Sequence, residues 1–306
     1  MMKRNRISFR LAESTWGYCF AGPSLLLISL LALLPILGAV WLSLHQRLPI
    51  FSIDEYVGIL NYTRLLSDER FWAAMGTTLY FTSLSVALEL CIGLILALVL
   101  WRFAGGPAGT PRWIQIAIVL PWAVPTVVSA QMWGWLYHPE YGLLNYLLMS
   151  TGLRSDPIDW LADPAWAIHA AIIMDVWKTA PFAALLLFAG MNAIPSDLYR
   201  AARVDGAGVW AQFRLITLPL LLPIILIVLI FRTMDAVRVF DAVFVLTGGG
   251  PGGTTETLSI YAYRMLFQTL QFGYGSTLAT AMFLLVAALT ALYLLLLRRH
   301  LAGVVQ

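Results

Sequence analysis

Charge is scarce in this chain. Of its 306 residues only 11% are Asp, Glu, Lys or Arg, 60% are hydrophobic, and the mean hydropathy is +0.80. A soluble domain carries about twice that charged fraction, so a water-exposed globular fold is excluded. Cysteine is nearly absent. Cys19 and Cys91 lie at or inside hydrophobic segments without C-x-x-C spacing, which reads as two small buried hydrophobes. His138 and His169 have no second His or Cys at ligand spacing, so no metal site is expected. A G-x-S-x-G nucleophile elbow is missing, as are internal repeats and low-complexity tails. The longest connections run to about 25 residues, too short for an enzyme domain of their own. No catalytic residue is expected. The net charge of +3 is spread over loop ends rather than one face, which argues against nucleic acid as a partner.

One glycine-rich stretch, Thr247 to Thr255, invites comparison with a phosphate-binding loop. That loop needs a Lys after its last glycine to reach the phosphates, and none follows here. The stretch reads as a multiple turn ahead of an interfacial helix at 255–271. The chain therefore has no ATP site of its own and no cofactor is expected in it.

What is abundant is apolar sequence in runs of membrane-crossing length. Six spans are predicted, at 18–44, 72–101, 113–137, 166–191, 219–240 and 275–297. The fold class is all-α, a polytopic membrane protein with six transmembrane helices. A basic start (Lys3, Arg4, Arg6) before an apolar run also suits a signal peptide, but the run from Phe20 to Leu44 is too long and no A-x-A site follows. It is expected to be a retained first span. Arg102 and Arg112, then Arg200, Arg203 and Arg214, then Arg298 and Arg299 mark alternate connections. Residues 138–165 carry Glu140, Asp156, Asp159 and Asp163 against Arg154 alone. The positive-inside rule puts both termini and residues 192–218 in the cytoplasm. The mixed loop at 45–71 favours neither side.

Residues 192–218 are polar, basic and helix-prone between two apolar spans. Ser196 is expected as N-cap with Asp197 in the first turn, and a helix over Leu198–Val204 to end at Asp205-Gly206. A second short helix over 207–215 would set Trp210 and Phe213 on one face, and Pro219 marks the start of the fifth span. Small residues permit close approach of another backbone and the aromatics can fill a groove. The same pattern suits an amphipathic loop resting on lipid headgroups.

Charges inside spans are costly and point to function. Glu89 lies in the second span, and Asp175 and Lys178 flank Trp177 in the fourth. Arg232, Asp235, Arg238 and Asp241 step by three along the fifth, one drifting stripe of alternating sign. They form either an internal salt-bridge ladder or the polar lining of a translocation pathway. Carboxylate–arginine pairs suit sugar hydroxyls, which both donate and accept. Trp133, Trp135 and Trp177 offer faces for a sugar ring, or form interfacial belts.

Ala201-Ala202, Asp205-Gly206-Ala207, Phe213, Ile216, Leu218 and Pro219 stand in the order and spacing of the EAA motif. The chain thus resembles the membrane subunits of binding-protein-dependent ABC importers. Arg200 replaces the motif's Glu and reverses the charge there. Residues 57–81 and 246–256 resemble the carbohydrate subgroup. Asp175–Phe182 and Phe231–Asp235 resemble trehalose/maltose-type permeases. The resemblance implies a type I importer permease fold. It assigns residues 1–71 to a tail, first span and outer loop, and residues 72–300 to a five-span core that includes the coupling loop 192–218.

It also implies that Arg200, Ala201, Ala202, Asp205, Gly206, Ala207, Trp210, Phe213, Ile216, Leu218 and Pro219 dock an ATPase. The implied partners are a second permease, two ATPase copies that bind ATP and Mg, and an extracytoplasmic binding protein, in a prokaryotic inner membrane. The expected substrate is an α-linked disaccharide, with a glycerol-phosphate compound as the alternative. An ion-driven secondary transporter remains a different class of reading, though no repeat of the kind such folds show is visible. An intramembrane enzyme is a third, without a catalytic constellation.

Overall fold

A computed structural model describes residues 4–103 and 112–304. Lys3 of the basic N-terminal cluster lies outside the described residues. Thirteen α-helices and one short hairpin appear among the described residues. Contacts divide them into two units, residues 1–67 with 262–281, and residues 68–261 with 282–306.

In the first unit, α1 (Arg4–Ser43) contains an apolar stretch, Tyr18–Ser43, of 26 residues. It leads into an antiparallel hairpin of β1 (His45–Leu48) and β2 (Ile53–Tyr56), with His45 opposite Tyr56 and Leu48 opposite Ile53. Helix α2 (Leu60–Ser67) then folds back on the end of α1. The buried Asn61 amide donates to the Ser43 and His45 carbonyls at 2.8 and 3.0 Å. Those carbonyls belong to the end of a helix and the start of a strand, where the helical ladder no longer supplies donors, and the Thr277 hydroxyl also donates to the Ser43 carbonyl at 3.3 Å.

The second unit is built on α3 (Glu69–Phe103) packed along α7 (Pro164–Asn192). Small residues let the two approach closely. A Cβ on Gly93 would stand 2.8 Å from that of Ala183, and Ala97, Ala180 and Ala184 continue the seam, all buried. Asp163 caps α7 by accepting from the Ala165 amide at 2.8 Å, with Pro164 in the first turn.

The predicted third span is corrected. It is two helices, α4 (Arg112–Ala123) and α5 (Thr126–Leu136), bent by 93°. Pro125 has no N–H for the ladder and restricts the residue before it, so the chain turns there. Among the described residues, five continuous helical stretches are long and apolar enough to cross a membrane, six spans if the bent pair is one. After α6 (Leu143–Ser150) the loop to α7 is tied by Asn145. Its amide bonds the Pro139 carbonyl, both backbone groups of Ile158 and the Trp160 indole.

Beyond α7 come α8 (Ser196–Val204), α9 (Val209–Gln212) and α10 (Leu218–Ala236). The predicted fifth span is also corrected at both ends. A wide π-type turn, Phe213–Thr217, joins α9 to α10, so one apolar stretch runs over Val209–Ala236. Pro219 cannot donate and its ring crowds the carbonyl four residues back, which the wider turn relieves. At the other end α10 stops at Ala236. Asp241 opens a separate helix, α11 (Asp241–Leu246). Helices α12 (Leu258–Tyr263) and α13 (Phe272–Val304) follow the glycine-rich turn.

Candidate functional site

Two apolar clusters stand out among the described residues of the second unit. One gathers Phe81, Val86, Ala130, Ile172, Val176 and Ala236. The other gathers Ala97, Ala183, Leu187, Leu221 and Val228. Glu89, Asp175 and Arg232 come from the stretches of α3, α7 and α10 that pass from one cluster to the other. Glu89 is fully buried, Arg232 is 5% exposed and Asp175 is 7% exposed. Arg232 Nε and Nη2 form a fork on the two oxygens of Glu89, Nη2 to Oε1 at 2.8 Å. Nη2 also lies 3.4 Å from Asp175, and Nη1 donates to Asp235 at 2.6 Å. The Thr179 hydroxyl stands 2.8 Å from Glu89 Oε1 and 2.5 Å from the Asp175 carbonyl. One guanidinium thus joins three helices, with most of its donors used. A planar fork meeting a carboxylate is the pairing that withstands burial best.

Above this knot lies a cavity of about 160 Å³, lined by Asp175, Lys178, Arg232, Asp235, Arg238 and Asp241 with Thr126 and Thr179. The six ionic side chains are three acids and three bases. Six predicted residues therefore meet in one place, but not as a stripe on one helix. Because α10 ends at Ala236, Arg238 sits in the turn beyond it, where Nε donates to the Met234 carbonyl at 2.9 Å. Asp241 heads α11. Glu89 lies behind the wall, holding Arg232.

The tryptophans belong elsewhere. Trp133 and Trp177 meet edge to face at 5.7 Å and line an apolar groove between α3, α4 and α7. Trp135 is exposed and meets Tyr141. None of the three lines the charged cavity.

The second constellation is residues 196–217. Helix α8 begins one residue before expectation, with Pro195 as its N-cap and Ser196 already helical. It ends where Gly206 takes φ +77°, a conformation that costs other residues about 1–2 kcal/mol. The Ala207 backbone N–H closes the turn on the Ala202 carbonyl at 2.8 Å, and the Gln212 side-chain Nε2 closes it from the far side on the Ala207 carbonyl at 2.7 Å. Arg200, Ala201, Asp205 and Gly206 are exposed, while Ala202 and Ala207 are half-buried. Arg200 pairs with Asp197 one turn back on the same helix, an exposed pair worth about 0–1 kcal/mol.

Trp210, 72% exposed, stacks on Phe213 at 5.5 Å. The second short helix predicted over 207–215 is corrected to α9 and the wide turn. Ile216 lies in that turn, and Leu218 and Pro219 in the first turn of α10. Val204 and Val209 add exposed apolar surface, 88% and 77%. Sequence reasoning passed over Tyr199. It is the buried side chain of α8, with its ring 5.2 Å from Trp101 and its hydroxyl 3.0 Å from Thr217. The signal was there, a tyrosine one position before an exposed Arg in a helix of strong amphipathicity.

No cluster of His, Cys, Asp or Glu suited to a metal ion occurs among the described residues.

The family of binding-protein-dependent transport system inner membrane components matches residues 89–302. The trehalose/maltose transport system permease protein MalF of Thermococcus litoralis is 44% identical over 283 residues, 92% of this chain and 93% of that protein. The sulfoquinovosyl glycerol transport system permease protein SmoG of Agrobacterium fabrum is 39% identical over 90% of this chain and 88% of its own length. A crystal structure of a bacterial ABC transporter that imports alginate is similar in fold. Its TM-score is 0.80 at 22% identity, over 96% of this chain and 99% of that one. The sequence match and the fold match both extend over most of the length of this chain. This chain belongs to the binding-protein-dependent transport system inner membrane component family, as an ABC importer permease similar to the trehalose/maltose permeases.

Proposed function

We propose that this chain is one of two permease subunits of an ATP-driven importer, and that it carries a sugar, an α-linked disaccharide such as trehalose or maltose. The observation that carries the proposal is the exposed helix–turn–helix at 196–217. It offers apolar and basic side chains in a loop whose ends are fixed to two spans. In this reading both termini and that loop face the cytoplasm, as the distribution of Arg and Lys favours. Arg200, Ala201, Ala202, Asp205, Gly206, Ala207, Trp210 and Phe213 meet an ATPase there. Two ATPase copies bind ATP and Mg, and their closure moves the loop and rocks the spans of a prokaryotic inner membrane between outward- and inward-facing states. An extracytoplasmic binding protein delivers the substrate.

The charged cavity supports a polyhydroxylated cargo. It offers donors and acceptors in equal number of ionic side chains, as hydroxyl groups require. At about 160 Å³ it is smaller than the roughly 300–1,000 Å³ of sites that enclose a ligand, which supports a second permease completing the pathway. The relative named for trehalose and maltose supports the disaccharide. The relative named for sulfoquinovosyl glycerol supports the second reading, a charged glycerol-containing compound.

Uptake into proteoliposomes holding the assembled complex tests the proposal. Trehalose or maltose should accumulate only with ATP and a functional ATPase. Uptake that persists with an ATPase-dead partner and follows a proton gradient would make the chain a secondary transporter instead. ATP-driven uptake of the sulfonated or phosphorylated glycerol compound alone would select the second substrate.

A further inference from the structure

We propose that Tyr199 is a positioning residue that carries movement of α8 into the transport spans, a role that rests on the functional reading above. Tyr199 is the buried side chain of a helix whose other residues are exposed or half-buried. Its ring packs on Trp101, near the end of α3, at 5.2 Å and 45°. Its hydroxyl lies 3.0 Å from Thr217 Oγ1, and Thr217 is itself 5% exposed. Thr217 is the last residue of the wide turn from which α10 starts. One side chain therefore touches both long helices at the same end.

A phenylalanine would fill the same space. The hydroxyl adds a directional bond to α10, and burying it has a cost unless that bond is made.

The far ends of this link matter. Glu89 lies 12 residues back from Trp101 along α3, about 18 Å at 1.5 Å per residue. Arg232 lies 15 residues beyond Thr217, about 22 Å. Glu89 and Arg232 are themselves joined by the buried fork. Helices α3 and α10 are thus cross-linked twice, by Tyr199 near the loop and by Arg232 at the charged cavity. A displacement of α8 acts on that pair together and reaches the cavity wall. The wide turn is the compliant part, because its bonds are already irregular, and the Tyr199–Thr217 bond bridges it.

The test compares Tyr199→Phe, Thr217→Val and the double variant in the complete complex, scored for co-purification of the ATPase and for substrate taken up per ATP hydrolysed. Each single variant should keep its ATPase and lose roughly five-fold in uptake per ATP, the equivalent of about 1 kcal/mol for one buried hydrogen bond. The double variant should lose no more than either single, since both remove the same bond. A Tyr199→Phe complex with wild-type uptake per ATP overturns the proposal. So does a double variant in which the two losses multiply, and so does loss of the ATPase, which would place Tyr199 in shaping the docking surface. These results leave the functional reading standing. A wild-type complex without ATP-dependent uptake overturns that reading, and this proposal with it.

Discussion

Replacing Arg232 by Met should be among the most damaging single changes in the chain. Met keeps much of the volume but removes the charge and all five donors. Glu89 is then a fully buried carboxylate that keeps the Thr179 hydroxyl but has lost its guanidinium, and Asp175 loses the guanidinium 3.4 Å away. Breaking a buried pair in this way costs about 3–5 kcal/mol, against a total stability on the order of 5–15 kcal/mol. Glu89→Gln should cost less. Its amide oxygen still accepts from Arg232 and Thr179, and Arg232 keeps Asp235 at 2.6 Å as well as Asp175. Exchanging charged for neutral hydrogen bonds amounts to about 1–2 kcal/mol. Equilibrium unfolding in mixed micelles, followed by tryptophan fluorescence, measures both. An Arg232→Met protein within 1 kcal/mol of wild type would refute the idea that this network holds three helices together. So would a Glu89→Gln protein that loses as much as Arg232→Met.

Three further changes probe the rest of the molecule. Gly206→Pro imposes φ near −65° where the chain takes +77°, so the turn between α8 and α9 should be lost. Co-purification with the ATPase should fall to background while the spans still insert; normal co-purification would count against the docking assignment. Asn145→Ala strips four hydrogen bonds from the loop between α5 and α7. It should cost about 2–4 kcal/mol and expose residues 138–163 to limited proteolysis. Arg200→Glu removes an exposed ion pair with Asp197, so stability should change by less than about 1 kcal/mol while binding to the ATPase changes markedly. Equal ATPase affinity for Arg and Glu would show that the position does not touch the partner.

Much of the architecture could be read from composition and spacing. Apolar runs located the five continuous membrane-crossing stretches and the bent pair α4–α5, because membrane-crossing length is a direct demand of bilayer thickness. The turn at Gly206 followed from glycine's freedom at positive φ. What escaped depended on contacts or on local hydrogen bonding. Hydropathy sums over residues 113–137 and cannot see that α4 and α5 are bent at Ala123–Thr126, although Pro125 was visible. Arg232, Asp235, Arg238 and Asp241 keep helical spacing, yet no Gly or Pro between 236 and 240 announces that α10 stops. Neutralisation of Arg232 was expected from its neighbours on the fifth span. Asp235 does supply part of it, but the two buried carboxylates come from residues 89 and 175, on other helices. Trp133 and Trp177, read as faces for a sugar ring or as interfacial belts, line an apolar groove rather than the charged cavity. An aromatic's preference for partly apolar surroundings does not specify which surface it serves.

The most direct test of the docking claim starts from Val204, the most exposed of the large apolar residues in 196–217. With Cys19 and Cys91 replaced by Ser, Val204→Cys becomes a unique cross-linking site. In a complex competent for uptake, a short bifunctional reagent should join position 204 to the ATPase subunit, with a yield that changes when ATP is bound. A transporting complex in which Val204→Cys never reaches the ATPase, or reacts with an impermeant maleimide applied from outside, would contradict the account.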